Sequence, residues 1–224
     1  MGRRSYDQFC PAARALDLVG ERWTLLIARE LVLGQKRYTD LLDALPGIGP
    51  NVLAARLKHL QETGIVRKTE LPPPAASQVY ELTELGQGLE GVVFAIARWG
   101  LNFLDEPRPG DSFRPDWLTG ALRSAAVPAA SRGVRECYEF RVAGYVATVE
   151  AEDGTVEINA GPAEDPAAVI TTDFETFAAL GAGRLDPREA TEAGRAKLEG
   201  DLEAGLRAAA ILGVNVSEAA GQAA

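Results

Sequence analysis

The stretch GPNVLAARLKHLQETGIVRKTELPPPAASQVYELT, residues 49 to 83, constrains this chain more than any other. Leu53, Leu57 and Leu60 recur at helical spacing, which predicts a helix over residues 51 to 62 with those leucines buried and Asn51, Arg56, Lys58 and His59 on its outer faces. Gly64 stops the helix, and two short β-runs at 65–70 and 79–82 flank the proline-rich loop LPPPAAS. A helix followed by such a hairpin is the order of a recognition helix and a wing. The donors suit double-stranded DNA, because Arg and Lys neutralise phosphates or fork onto guanine and Asn can pair with adenine.

The segments before this stretch fit the same reading. Residues 11–19 and 23–33 read as helices, the second with Leu26, Ile27, Leu31 and Leu33 buried and Gly34 ending it. Thr39 is placed as the N-cap of a third helix through Leu45, and PGIGP at 46–50 turns the chain into the recognition helix. This is helix-turn-helix order. The expected DNA-contact set is Lys36, Arg37, Thr39, Asn51, Arg56, Lys58, His59, Arg67 and Lys68, with Asn51 and Arg56 nearest the bases. From Thr83 to about Leu104 one long helix is expected. Its Leu85, Leu89, Val92, Ile96, Trp99 and Phe103 step by four and three, a heptad seam suited to a homodimer.

A net charge of −9 opposes nucleic-acid binding only if it is spread evenly. It is not: residues 1–104 hold 12 Lys or Arg against 11 Asp or Glu, and residues 105–224 hold 11 against 21. The acidity belongs to the second half, and the first can still present a basic surface. No apolar run approaches the roughly 20 residues of a membrane span. Asp7 and Gln8 stand where a secretory signal would be apolar, so a cytoplasmic protein without membrane contact is expected.

The prolines and charges of DEPRPGDSFRP divide the chain into a domain over 1–104, a linker over 105–114 and a domain over 115–224. The second begins with a helix over 117–126. Strands follow at 136–142, 145–151 and 155–160, joined by Ala143-Gly144 and Asp153-Gly154 into an antiparallel meander, then a strand at 168–172. Asp173, Asp186-Pro187 and Asp201 open three helices. The fold class is α+β, a winged helix-turn-helix domain followed by an α+β domain with an antiparallel sheet.

The first half resembles the HxlR family of bacterial winged helix-turn-helix regulators. The residues carrying the likeness are CPAARALDLVGERWTLLIARELVLGQKRYTDLLDALPGIGPNVLAARLKHLQETGIVRK, then VYELTELG and ARWG. The resemblance implies a homodimer on a double-stranded DNA operator, with the N-terminal and long C-terminal helices forming the dimer contact. Gly49-Pro50-Asn51 at the helix entry and the long proline run of the wing depart from the family pattern. The second half, through residues 136–151 and 165–212, is similar to sterol carrier protein type 2-like domains. That implies an apolar cavity between sheet and helices and an apolar small-molecule effector. Tyr138, Phe140, Phe174, Phe177, Leu180 and Leu206 are the candidate lining.

No catalytic residues are assigned. GIGPNV and GAGRLD both lack the third glycine of a dinucleotide loop, and one histidine makes a triad implausible. Cys10, Cys137 and His59 fit no zinc spacing, so neither metal nor cofactor is expected. Cys10 before Pro11 is a redox candidate, since relatives that sense oxidants place a cysteine there. The sequence thus predicts a repressor controlled by an apolar molecule. Two alternatives stand beside it: thiol sensing through Cys10 with a structural second domain, and an apolar-ligand carrier.

Overall fold

The computed structural model describes residues 5–74, 76–104 and 108–214 and divides into two compact units, residues 1–93 and 94–224. The expected linker lies partly outside the described residues, at 105–107.

The first unit runs α1 (Pro11–Val19), α2 (Thr24–Val32), α3 (Tyr38–Ala44), α4 (Pro50–Glu62), β1 (Val66–Glu70) and β2 (Gln78–Leu82). Proline at the first helical position opens both α1 and α4, where its missing N–H costs nothing. Leu53, Leu57 and Leu60 of α4 are buried against Ile27, Leu31, Leu41, Leu45 and Ile65, the core of this unit. Placements at two helices differ from the sequence reading. Leu26 is exposed and Leu33 only half-buried, because Ile27, Ala28 and Leu31 take the inner face of α2. Thr39 is not the cap of α3: the helix starts at Tyr38, with Asp40 Oδ2 accepting from the Arg37 N–H at 2.9 Å.

The expected single helix over 83–104 is interrupted. Thr83 caps a short α5 (Glu84–Gln87) by accepting from the Gly86 N–H, Gly88 intervenes, α6 spans Leu89–Gly100, and a 3₁₀ turn covers Leu101–Phe103. Four glycines between 86 and 100 weaken helix propensity here. Gly86 itself is required, since a Cβ there would fall well inside contact distance of the Ile65 carbonyl oxygen. Gly86→Ala is therefore expected to destabilise the first unit by about 3 kcal/mol, read as a lowered urea midpoint with an unchanged slope.

The second unit holds α7 (Pro115–Ala125), β3 (Arg135–Val142), β4 (Tyr145–Glu152), β5 (Thr155–Ala160), β6 (Ala168–Thr172), α8 (Phe174–Gly181), α9 (Pro187–Glu192), β7 (Ala196–Gly200) and α10 (Leu202–Ile211). The sheet order is β5-β4-β3-β6-β7, with β6 parallel to β3 and the other pairs antiparallel. Both hairpins close through two residues at positive φ, Ala143 and Gly144 (49° and 87°) and Asp153 and Gly154 (41° and 95°), the turn that matches strand twist. Strand β7, unassigned in the sequence reading, completes the sheet beside β6.

The C-terminal half of α6 belongs with the second unit, whereas the sequence reading kept it in the first domain. Side chains explain the partition. Arg98 donates to the Ser124 carbonyl of α7, Arg184 donates to the Leu104 carbonyl at 3.0 Å, and Leu101 packs beside Gly181.

Candidate nucleic-acid interface and apolar cavity

In the first unit the exposed positions of α4 include Asn51, Ala55 and Lys58, spaced by four and three along one stripe. Two hydrogen bonds tie the start of α3 to its neighbours. The Tyr38 hydroxyl donates to the Pro50 carbonyl at 2.8 Å, and Arg37 Nε donates to Ser77 Oγ of the wing loop at 3.0 Å. Lys36 and Tyr80 exchange backbone hydrogen bonds, adding a β-bridge to the wing. Lys36 and Arg37 thus adjoin the wing, and Tyr38 next to them adjoins the entry to α4. On β1, Arg67 pairs with Glu81 at 2.8 Å, and the Lys68 ammonium lies over the Tyr80 ring at 5.7 Å.

Arg56 and His59 do not share the stripe. Arg56 Nη2 donates to Glu21 at 2.8 Å and its Nε to the Arg22 carbonyl, while His59 Nε2 lies 3.2 Å from the Leu18 carbonyl. Both tie the flank of α4 to the end of α1 and the turn after it. Arg56, expected nearest the bases, is thus paired with Glu21 in this structure. Ala55 carries no polar group, so donor-based reading passed it over, yet a small apolar side chain in this position can contact a thymine methyl.

The heptad residues separate into two groups. Leu89 packs against the core of the first unit and leaves the seam. Leu85, Val92, Ile96, Trp99 and Phe103 are exposed, with the Trp99 and Phe103 rings 4.7 Å apart at 66% and 62% exposure. Cys10 is a partly exposed free thiol at the start of α1. Burial raises the pKa of the partly buried Cys137 thiol, with Glu150 and Glu139 adding to the effect, which disfavours thiolate there.

The second unit contains a cavity of about 340 Å³. Register builds its floor: Phe140, Ile170 and Leu198 align across β3, β6 and β7, and Thr172 and Ala196 align one row along. Phe177 and Leu180 of α8, Leu206 and Ala209 of α10, Leu122 of α7, and Ala97 and Leu101 complete the walls. Gly205 admits the sheet closely, since a Cβ there would lie 2.8 Å from Leu198 Cδ1. Of the six residues expected to line a cavity, Phe140, Phe177, Leu180 and Leu206 do so. Tyr138 and Phe174 do not. Phe174 packs on Phe113 and Tyr145, with ring centroids 4.0 and 6.0 Å away. The Tyr138 hydroxyl donates to Glu136 at 2.6 Å, and Arg207 forks onto the same carboxylate at 2.7 and 3.0 Å.

That cluster is structural. The Arg207 hydrogen bonds, reinforced by Tyr138, hold the Glu136 carboxyl below its ordinary range, and the Thr176 N–H does the same for Asp173 at the start of α8. Both folded pKa values are depressed, so their contribution to stability is present above the unfolded values of about 3.9 to 4.3 and is lost as pH falls through the folded ones. The second unit should keep its melting temperature from pH 7 to about 5 and lose it below about 4. The double variant Glu136→Gln, Asp173→Asn should flatten that profile in a pH series of thermal melts.

Comparison with known proteins agrees with this geometry. Residues 18–108 match the HxlR-like helix-turn-helix family, and residues 118–213 match the SCP-2 sterol transfer family. The chain is 36% identical over 107 residues to the HTH-type transcriptional regulator YodB of Bacillus subtilis, covering 47% of this chain and 93% of that protein. It is 35% identical over 97 residues to the uncharacterized HTH-type transcriptional regulator sll1512 of Synechocystis, covering 43% of this chain and 72% of that one. A third relative, the uncharacterized HTH-type transcriptional regulator YvaP of Bacillus subtilis, is 31% identical over 100 residues, 44% of this chain and 93% of its own length. The chain belongs to the HxlR-like helix-turn-helix family of DNA-binding transcriptional regulators, with an SCP-2 domain following the winged helix. Among the described residues, no helix is long and apolar enough to cross a membrane.

Proposed function

We propose that the protein is a homodimeric repressor whose second unit senses an apolar small molecule. The observation that carries this reading is the double use of one segment: Ala97 and Leu101 line the cavity, while Ile96, Trp99 and Phe103 of the same stretch present an exposed apolar seam. A second copy pairing along that seam would set the spacing of two recognition helices on DNA. Helix α4 enters the major groove with Asn51, Ala55 and Lys58 toward base edges and the adjoining backbone. Lys36, Arg37, Arg67 and Lys68 contact phosphates, with the wing beside the minor groove. A ligand in the cavity bears on the seam through Ala97 and Leu101, and about 1.4 kcal/mol of differential affinity between the two dimer geometries changes operator binding tenfold.

The test begins with selection of a binding site from random duplexes, followed by fluorescence anisotropy over a salt series and sedimentation of the free protein. A concentration-dependent dimer with strong site preference is expected; salt-insensitive, sequence-blind binding or none rejects the regulator reading. Lys58→Ala should weaken binding to all sequences and reduce the log–log salt slope by about 0.9 per protomer.

A further inference from the structure

We propose that α4 reads a half-site core of A·T pairs through the thymine 5-methyl groups, with Val52 as a specificity-determining residue beside Asn51 and Ala55. The inference rests on the reading of α4 as the helix in the major groove and names the base pairs which that helix selects.

Val52 stands apart from the other large aliphatic side chains of its helix. Leu53, Leu57 and Leu60 are buried, whereas Val52 is 40% exposed. A β-branched residue at such a position lowers helix propensity and gains little from the core. Its place on the helix explains it better. At 3.6 residues per turn, Val52 lies roughly 60° to one side of Ala55, and Ala54 lies roughly 60° to the other side of Asn51. Ala54 and Ala55 are exposed as well, and both end at Cβ. Bases therefore come close to the helix along this face, and apart from Asn51 the groups that meet them are methyls.

The major groove restricts what such a face selects. Of the four bases only thymine presents a methyl group there, and its partner adenine offers N7 and N6 to a bidentate amide, the group that Asn51 carries. Guanine is read instead by a cation at O6 and N7. The Arg and Lys of α4 are engaged in other directions. Arg56 is held on the flank by Glu21 at 2.8 Å and by the Arg22 carbonyl at 3.4 Å, and Lys58 lies 3.8 Å from Glu62, one turn further along. An amide with methyl groups on either side fits adenine and thymine in adjacent pairs and leaves Lys58 to the phosphates.

The experiment uses the full-length protein and the duplex selected from random sequence. The half-site core is resynthesised with deoxyuridine in place of thymidine, which removes the C5 methyl group and keeps every hydrogen-bonding group of the base. Selected cores should carry A·T at adjacent pairs, and the deoxyuridine duplex should bind about tenfold more weakly by anisotropy, the effect of about two buried methyl groups. Val52→Ala should weaken the thymidine duplex about threefold and leave the deoxyuridine duplex within about twofold, so that the ratio between the two shrinks. Lys58→Ala should weaken both duplexes alike and keep the ratio, and Asn51→Ala should relax the preference for adenine at one pair. Circular dichroism checks that each variant folds. A selected core of G·C pairs, equal affinity for the two duplexes, or an unchanged ratio in Val52→Ala overturns the assignment. The two readings fail separately: site-specific binding to a G·C core keeps the regulator reading and removes this one, whereas sequence-blind binding removes both.

Discussion

Trp99→Glu is expected to convert the protein to a monomer and to weaken operator binding by two orders of magnitude or more. Trp99 is the largest exposed apolar side chain of the seam and packs its ring at a tilt against Phe103, with Ile96 and Val92 continuing the same face along α6. A contiguous exposed apolar face of this kind marks an interaction surface. In a symmetric pair the two seams meet, so a glutamate at this position brings two carboxylates toward the axis without cations opposite. Leaving such charges buried and unpaired costs several kcal/mol. The fold should survive, because an exposed position carries little of the monomer's stability. The loss on DNA is larger than a single contact would explain. A dimer engages its second half-site at a high effective concentration, and a monomer forfeits that gain, on the order of a hundredfold to ten-thousandfold. Sedimentation at micromolar concentration and anisotropy on the selected duplex read the two effects separately, with circular dichroism as the control for folding. A variant that stays dimeric and binds DNA as the wild type does would remove the seam from the interface.

Local signals carried the sequence reading furthest. Helix α1, strand β5 and strand β6 fall where the sequence places them, because Pro11, the Asp153-Gly154 turn and the Asp173 cap act within a few residues. The cap at Asp201, accepting from the Glu203 and Ala204 N–H groups, is of the same kind. Strand β7 was not legible, since Ala-Lys-Leu-Glu-Gly has little β-propensity and is a strand only because β6 pairs with it. Side-chain roles set by distant partners were lost in the same way. The Arg56 guanidinium pairs with Glu21, 35 positions earlier, a contact that no local signal announces. Tyr138 shares the inward alternation of Phe140, yet Arg207 and Glu136 claim the row beneath it. The cavity wall supplied by Ala97 and Leu101 was hidden because attention to the heptad seam selects the opposite side of the same segment.

Ala209→Trp is expected to fill the cavity and to abolish any response of DNA binding to an apolar probe such as 1-decanol. Ala209 lies on α10 in the cavity wall and is only half-buried, so an indole has empty space to enter before it meets packed side chains. Overpacking a filled core costs about 1 to 3 kcal/mol, but here apolar surface is added against Leu206, Phe177 and Leu180, and the melting temperature of the second unit should hold or rise. Calorimetry should then show decanol affinity reduced by about a hundredfold or more, the result of excluding the chain from its volume. The consequence for regulation follows from linkage. A ligand shifts operator affinity only through its differential binding to the two dimer geometries, so a protein that no longer admits the ligand has nothing left to shift. Wild-type operator affinity should move about tenfold on adding decanol, whereas Ala209→Trp should give one value with and without it. Retention of the full response in a variant that has lost measurable binding would place the effector site outside this cavity, and the regulatory role assigned to the second unit would go with it.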